Sequence, residues 1–231
     1  MIRAFHYGSK TISYLLAYSK RKTLGITVTP EMEVLVKAPE GTVLSAIEMK
    51  LEKRAPWILR QQSYFLRFYP KTPEKEYRGG EAHFYLGRQY RLRVKTGKKN
   101  GVNFTGRDIE VSHSPQTSAK SVLKDWYRLR AKEKFAEIAE PWIQRFEKYG
   151  VQPESLLIQK MPTRWGSCTA KGKIILNPEL IKAPKASIEY VIIHELCHLL
   201  HKHHTKAFFQ LQSQLMPDWE KWKDKLETIL Q

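Results

Sequence analysis

The stretch VIIHELCHLLHKHHTKAFF, residues 191–209, constrains this chain more than any other and holds five of its eight histidines. Val191, Ile192, Ile193, Leu196, Cys197, Leu199 and Leu200 make the segment apolar on nearly every side of a helix, so the helix must be buried. Burial leaves His194, Glu195 and His198 needing partners, because an unsatisfied buried polar group is costly. Residues four apart on a helix differ by about 40° in direction, so His194 and His198 share a face one turn apart. Glu195 lies about 60° to the side of His198. Two imidazoles that can converge on one ion, with a carboxylate beside them, form the HExxH arrangement of two ligands and a general base. A single metal ion satisfies all three polar groups.

A third ligand is needed, and the sequence offers several. His201 is seven residues after His194, but ligands spread over about 10.5 Å of straight helix converge poorly on one ion. His204 follows His194 by ten residues, the spacing of the HExxHxxGxxH pattern. Here His201 stands in place of the glycine that makes the turn. A left-handed conformation at His203 would supply the turn instead, since histidine visits positive φ more readily than most residues. Thr205 would then cap a following helix, KAFFQLQSQL. Glu220 is the acidic alternative. The order of preference is His204, then Glu220, then His201 or His203.

Charge bears on the partner. The 231 residues carry a formal net charge of +17, which attracts anions such as nucleotides, nucleic acid or acidic peptides. The densest run, GRQYRLRVKTGKK (residues 87–99), has six basic residues and no acidic one. Tyr90, Leu92 and Val94 alternate in it with Arg91, Arg93 and Lys95, which reads as a half-buried strand with a basic outer face. If that face positions polyphosphate, neutralising Arg91 and Arg93 should raise KM for a nucleotide. Cys168 and Cys197 stand in no CxxC pattern and read as buried small residues in a reducing compartment. No secretory leader or membrane-length apolar run is evident, so the expected location is the cytoplasm, without a membrane partner.

Pattern along the chain gives an α+β fold class: a β-rich N-terminal domain, 1–112, then a helical domain, 113–231, with a short hairpin or sheet over the HExxH helix. Strands are expected at 11–19 and within 22–39. A helical stretch follows from Thr42 to about Phe68, with Pro56 starting a second helix. Residues 69–80 read as a loop, and further strands are expected near 83–86, 90–95 and 109–112. The polar segment SHSPQTSAK (112–120) is the candidate boundary. A long helix from Ser121 to Tyr149 should be kinked or interrupted at Pro141 and closed by Gly150. Beyond it come a hairpin turning at TAKGK and a helix opened by Pro184.

RWGSC (164–168), NPEL (177–180) and HELCHLLHKHHTKAFF (194–209), with VTPEMEVLVKAP and APWILRQ upstream, resemble the YgjP-like family of predicted metal-dependent hydrolases. The resemblance covers most of the chain. It implies a zincin-like catalytic region behind a β-rich domain, with His194, His198 and His204 as ligands and Glu195 as base. His203 replaces an asparagine common in the family. Members have also been linked to nucleoside-triphosphate pyrophosphohydrolysis, UTP in particular.

The expected activity is therefore that of a zinc-dependent hydrolase. Zinc with three protein ligands keeps one position open and acidifies water there, and Glu195 accepts the proton. RWGSC is the expected opposite wall. Gly166 permits close backbone approach and, with Ser167, could line an extended peptide by strand addition. Arg164 could grip phosphate and Trp165 could stack on a base, while Cys168 reads as core. A metallopeptidase-type reaction on a peptide is placed first and a UTP-type pyrophosphohydrolase second. A basic nucleic-acid-binding module with a non-catalytic metal comes third, because it leaves Glu195 unexplained.

Overall fold

The computed structural model describes residues 2–29, 31–66, 75–162 and 164–230. The chain forms two compact units, Met1–Thr72 and Pro73–Gln231. Among the described residues the architecture is α+β, with three mixed sheets and five α-helices.

In the first unit, β1 (Ile2–Tyr7), β2 (Lys10–Ser19), β3 (Gly25–Val28) and β4 (Val34–Pro39) form a sheet in the order β1-β2-β4-β3. The inner pair, β2 and β4, is parallel and both outer pairings are antiparallel. Ile12, Tyr14 and Leu16 alternate inward along β2, as do Val34, Val36 and Ala38 along β4. Helix α1 (Leu44–Leu66) closes that core with Ile47, Leu51, Ala55 and Ile58. Pro56 does not begin a second helix; it lies inside α1. The buried stripe continues in register on both sides of it, and Pro56 itself faces outward, so burial outweighs the lost backbone bond. The part of the expected 69–80 loop that precedes Lys75 lies outside the described residues.

The second unit opens with β5 (Ala82–Tyr85), β6 (Arg88–Thr96), β7 (Gly101–Phe104) and β8 (Asp108–His113), in the sheet order β5-β6-β8-β7. Helix α2 (Ala119–Glu147) is capped by Ser118, whose side chain accepts from the Ser121 N–H, and runs unbroken through Pro141. A second sheet combines β9 (Ser155–Ile158), β10 (Gly166–Cys168) and β11 (Lys173–Leu176) in the order β10-β11-β9. A short 3-10 helix (Pro178–Lys182) leads into α3 (Lys185–Leu200), followed by α4 (Lys206–Leu215) and α5 (Trp219–Leu230).

The boundary expected at 112/113 falls inside this unit. Leu92, Ile109 and Val111 of the first sheet share one core with Leu123, Ala131 and Phe135 of α2 and with Ile192 and Leu196 of α3. Polar residues 112–120 only turn the chain from β8 into α2. The unit that carries α2 to α5 thus also holds β5 to β8, a sheet expected in the N-terminal domain. Its hairpin between β5 and β6 turns on Leu86 and Gly87, both at positive φ. The amides of these two residues donate to the carbonyls of Ile181 and Lys182 at 2.8 and 3.0 Å, fixing the chain just ahead of α3. A Cβ at Gly87 would meet Pro184 at 2.7 Å, so only glycine fits that approach.

Candidate metal centre

Helix α3 is held from all sides. Ile188, Ile193, Leu196 and Cys197 are fully buried, and each large aliphatic side chain so placed contributes roughly 1.5–3 kcal/mol. His194 and His198 project from its half-buried face. The helix stops at Leu200 because His201 takes an extended conformation, φ −127° and ψ 99°. The turn therefore needs no left-handed residue. Among the described non-glycine residues, positive φ is found at Met32, Tyr77 and Leu86, not at His203. Thr205 caps α4, accepting from the Phe208 N–H.

That turn brings His204 back over α3. One ring nitrogen from each of His194, His198 and His204 lies within 4.8 Å of the other two, and Nε2 of His194 is 3.0 Å from Nε2 of His204. Nitrogens bound tetrahedrally at about 2 Å from one ion stand roughly 3.3 Å apart, so the three are close enough for one ion to draw them together. The other ring nitrogens support it. Nδ1 of His194 is 2.9 Å from Oε1 of Gln212, and Nδ1 of His198 is 3.0 Å from the His201 carbonyl. Both partners are acceptors, so each ring carries its proton on Nδ1 and turns a bare Nε2 inward, as metal-binding histidines do. Three imidazoles suit zinc and neighbouring transition metals. Phe208, fully buried, packs against all three rings at centroid distances of 4.7 to 4.9 Å. Burial, then the neighbouring imidazoles, lowers the His194 pKa to about 4.

Glu195 sits beside this cluster, 6% exposed. Burial raises its carboxyl to about 7, against the lowering effects of the Cys168 N–H and Arg164. The bond to Cys168 follows from strand register. The Trp165 carbonyl accepts from the Asn177 N–H just past β11, and the Thr169 N–H donates to the Lys173 carbonyl of β11, so alternation turns the backbone groups of Gly166 and Cys168 to the opposite, unpaired edge of β10. That edge passes over Glu195. A Cβ at Gly166 would lie 2.6 Å from Glu195 Oε1, 2.7 Å from its Cγ and 2.9 Å from Val191.

Arg164, Trp165, Gly166, Ser167 and Cys168 line, with the three histidines and Glu195, a cleft of about 800 Å³. All four substrate-wall residues named from the sequence are thus brought to the cluster. Arg164 is exposed and Trp165 half-buried, its ring also touching the core. Cys168 departs from the core reading: it is half-buried on the cleft wall, because β10 is an edge strand with one face on the opening. Cys197 is core, its thiol pushed up to about 12 by burial. The remaining ligand candidates stay out of the cluster. His203 is exposed, His201 lends its carbonyl to His198, and Glu220 is exposed on α5, whereas Glu227 of that helix reaches the cleft. Arg91 and Arg93 are engaged elsewhere, at 3.1 and 2.8 Å from the two oxygens of Asp108.

Sequence reading missed Gln212, Phe208, Glu227 and Asn177. Asn177, 3% exposed, donates to the carbonyls of Met161 and Arg164 at 2.8 and 3.0 Å and so pins the approach to RWGSC. Its signal was the N-cap position before Pro178 in NPEL.

Three convergent imidazoles make a cluster that could hold a metal ion, as a metal-dependent hydrolase needs. The sequence model described as YgjP-like, metallopeptidase domain, matches residues 22–229, and the chain belongs to that family. Comparison with curated proteins gives no match. The crystal structure of the metallopeptidase zymogen of Pyrococcus abyssi abylysin is similar over 41% of this chain and 92% of that one. Its identity is 21% and its TM-score 0.36, a likeness too slight to add to the family match. Among the described residues no helix is long and apolar enough to cross a membrane.

Proposed function

We propose that this chain is a zinc-dependent peptide hydrolase, with His194, His198 and His204 as ligands and Glu195 as general base. One observation carries the reading: three inward-facing imidazoles and a buried carboxyl lie beneath the unpaired edge of β10. Bound zinc supplies Lewis acidity, acidifying water and polarising a substrate oxygen. Glu195 takes the proton from the attacking water and returns it to the leaving amine, and its burial, which raises the carboxyl, favours holding that proton between the two transfers. The Cys168 N–H holds the carboxyl in place for them. Gly166 keeps the strand close and turns its backbone groups to the unpaired edge, where a peptide can lie in extended form along β10, with Ser167 lining the cleft beside it. Trp165 and Arg164 flank the bound chain.

A second reading, a nucleoside-triphosphate pyrophosphohydrolase, is favoured by Arg164, Lys171 and Lys202 on the cleft wall. Zinc-loaded wild type and Glu195→Gln protein, given a diverse peptide library and the four ribonucleoside triphosphates, separate the two. Peptide cleavage by wild type alone supports the first. Pyrophosphate release by wild type alone, without cleavage, moves the same site to the second. Neither activity would reject both.

A further inference from the structure

A second concave site lies in the first unit, formed entirely from that unit's residues. Leu24, Ile26, Lys50, Lys53, Arg54 and Trp57 line a groove of about 480 Å³. Lys50, Lys53, Arg54 and Trp57 recur at i, i+3, i+4 and i+7, so they share one face of α1, next to the buried stripe of Ile47, Leu51, Ala55 and Ile58. A stripe at this spacing ordinarily buries itself with aliphatic side chains. This one carries three exposed cations, none in an ion pair among the described residues, and a half-buried tryptophan. Leu24, Ile26 and Trp57 pack against the unit's core and give the groove an apolar floor.

Its rim is β3, the last strand of the sheet. The Thr29 N–H bonds to the Glu33 carbonyl, and the β3–β4 register pairs Thr27 with Leu35 and Gly25 with Lys37. Hydrogen-bonded pairs alternate along an antiparallel ladder, so Ile26 and Val28 turn their N–H and C=O groups to the unpaired edge. Such an edge is a template for another strand.

We propose that this groove binds an acidic peptide segment in extended form, which adds to β3 and places alternate carboxylates against Lys50, Lys53 and Arg54. Lys50 and Arg54 are about 6 Å apart along the helix, comparable to the roughly 6.7 Å between alternate side chains of a strand. The edge presents carbonyls as well as amides. A peptide satisfies both, whereas phosphates would meet the carbonyls with like charge. A second copy of this chain is a poor occupant, because each carries a net charge of +17. The site is independent of the metal centre and of the reaction assigned to it.

The test is fluorescence anisotropy of a labelled eight-residue peptide alternating valine and glutamate, with full-length protein carrying Glu195→Gln so that the probe is not cut. Binding should weaken as salt rises and fall about tenfold in the Lys53→Glu, Arg54→Glu double variant. The same peptide N-methylated on alternate amides should not bind, a control that needs no folded variant. Absence of binding, indifference to charge reversal, or equal binding of the N-methylated peptide would overturn the proposal. So would tighter binding of an oligouridylate of similar length that the double variant loses, which would make the groove a nucleic-acid site.

Discussion

The two halves of the proposed metal centre are built differently. His194 and His198 stand on a helix buried on nearly every side, and each ring is fixed by an acceptor at Nδ1. His204 comes from a five-residue turn, is exposed, and is positioned by ring contacts, with Phe208 at 4.8 Å and Phe209 stacked at 5.9 Å. The helix half is set by core packing whether or not a ligand is bound. The turn half depends on a capped loop and on what it meets. Rigidity on one side and access on the other is what an open catalytic metal site requires.

Removing a ligand from each half tests that contrast most strongly. His194→Ala should abolish activity and reduce zinc affinity by more than the about 10–100-fold typical of losing an outer partner. It should also lower the thermal midpoint of metal-free protein, because it leaves Gln212 without its buried partner. His204→Ala should abolish activity too, yet leave that midpoint nearly unchanged and cost less zinc affinity, since solvent reaches its place. Chelator competition and thermal melts measure both. Equal effects of the two substitutions would erase the distinction between the halves.

Gln212 sharpens it next. The side chain is fully buried; Oε1 faces His194, and Nε2 has no hydrogen-bond partner among the described residues. Keeping a half-satisfied amide in the core is explicable if its accepting oxygen orients His194. Gln212→Leu should therefore reduce zinc affinity about 10–100-fold, with a small change of stability, because removing the orphaned Nε2 donor offsets the loss of the acceptor for the His194 Nδ1–H. Gln212→Glu keeps the acceptor and should recover most of the affinity. Failure of that recovery would reduce Gln212 to packing.

What was legible in the sequence divides along the same line. The helix half could be read because its signal is local: apolar residues all round one helix leave its three polar groups a single use. His204 was reachable by counting residues, although the turn forms with His201 extended rather than through a left-handed residue. Gln212 carried no signal, because eighteen residues separate it from His194 and only the packing of α4 on α3 joins them. The division at 112–120 misled for a related reason. Polar turn residues look alike whether or not a core continues past them, and here Ile109 and Val111 continue it into α2. Gly166 was readable as a close approach, but not what it approaches. Gly166→Ala should displace Glu195, costing about 1–3 kcal/mol of stability as overpacking does, and should lower kcat while zinc affinity holds. Unchanged kcat would mean that the carboxyl is not held by the strand.

The smallest effect is a slope against pH. In metal-free protein, burial lowers His194 to about 4 from its ordinary 6.5. The folded state then binds fewer protons than the unfolded between those values, so stability rises with pH across that window. Glu195 is raised to about 7 from 4.5. There the folded state binds more protons, so stability falls as pH rises from 4.5 to 7. Over pH 4.5 to 6.5 these two contributions oppose each other and largely cancel. Glu195→Gln removes one of them, so the metal-free variant should gain stability with pH more steeply than wild type across that range, read as thermal midpoints in chelator. Parallel slopes would show that Glu195 titrates as an ordinary carboxylate, and the strand above it would then leave it open to water.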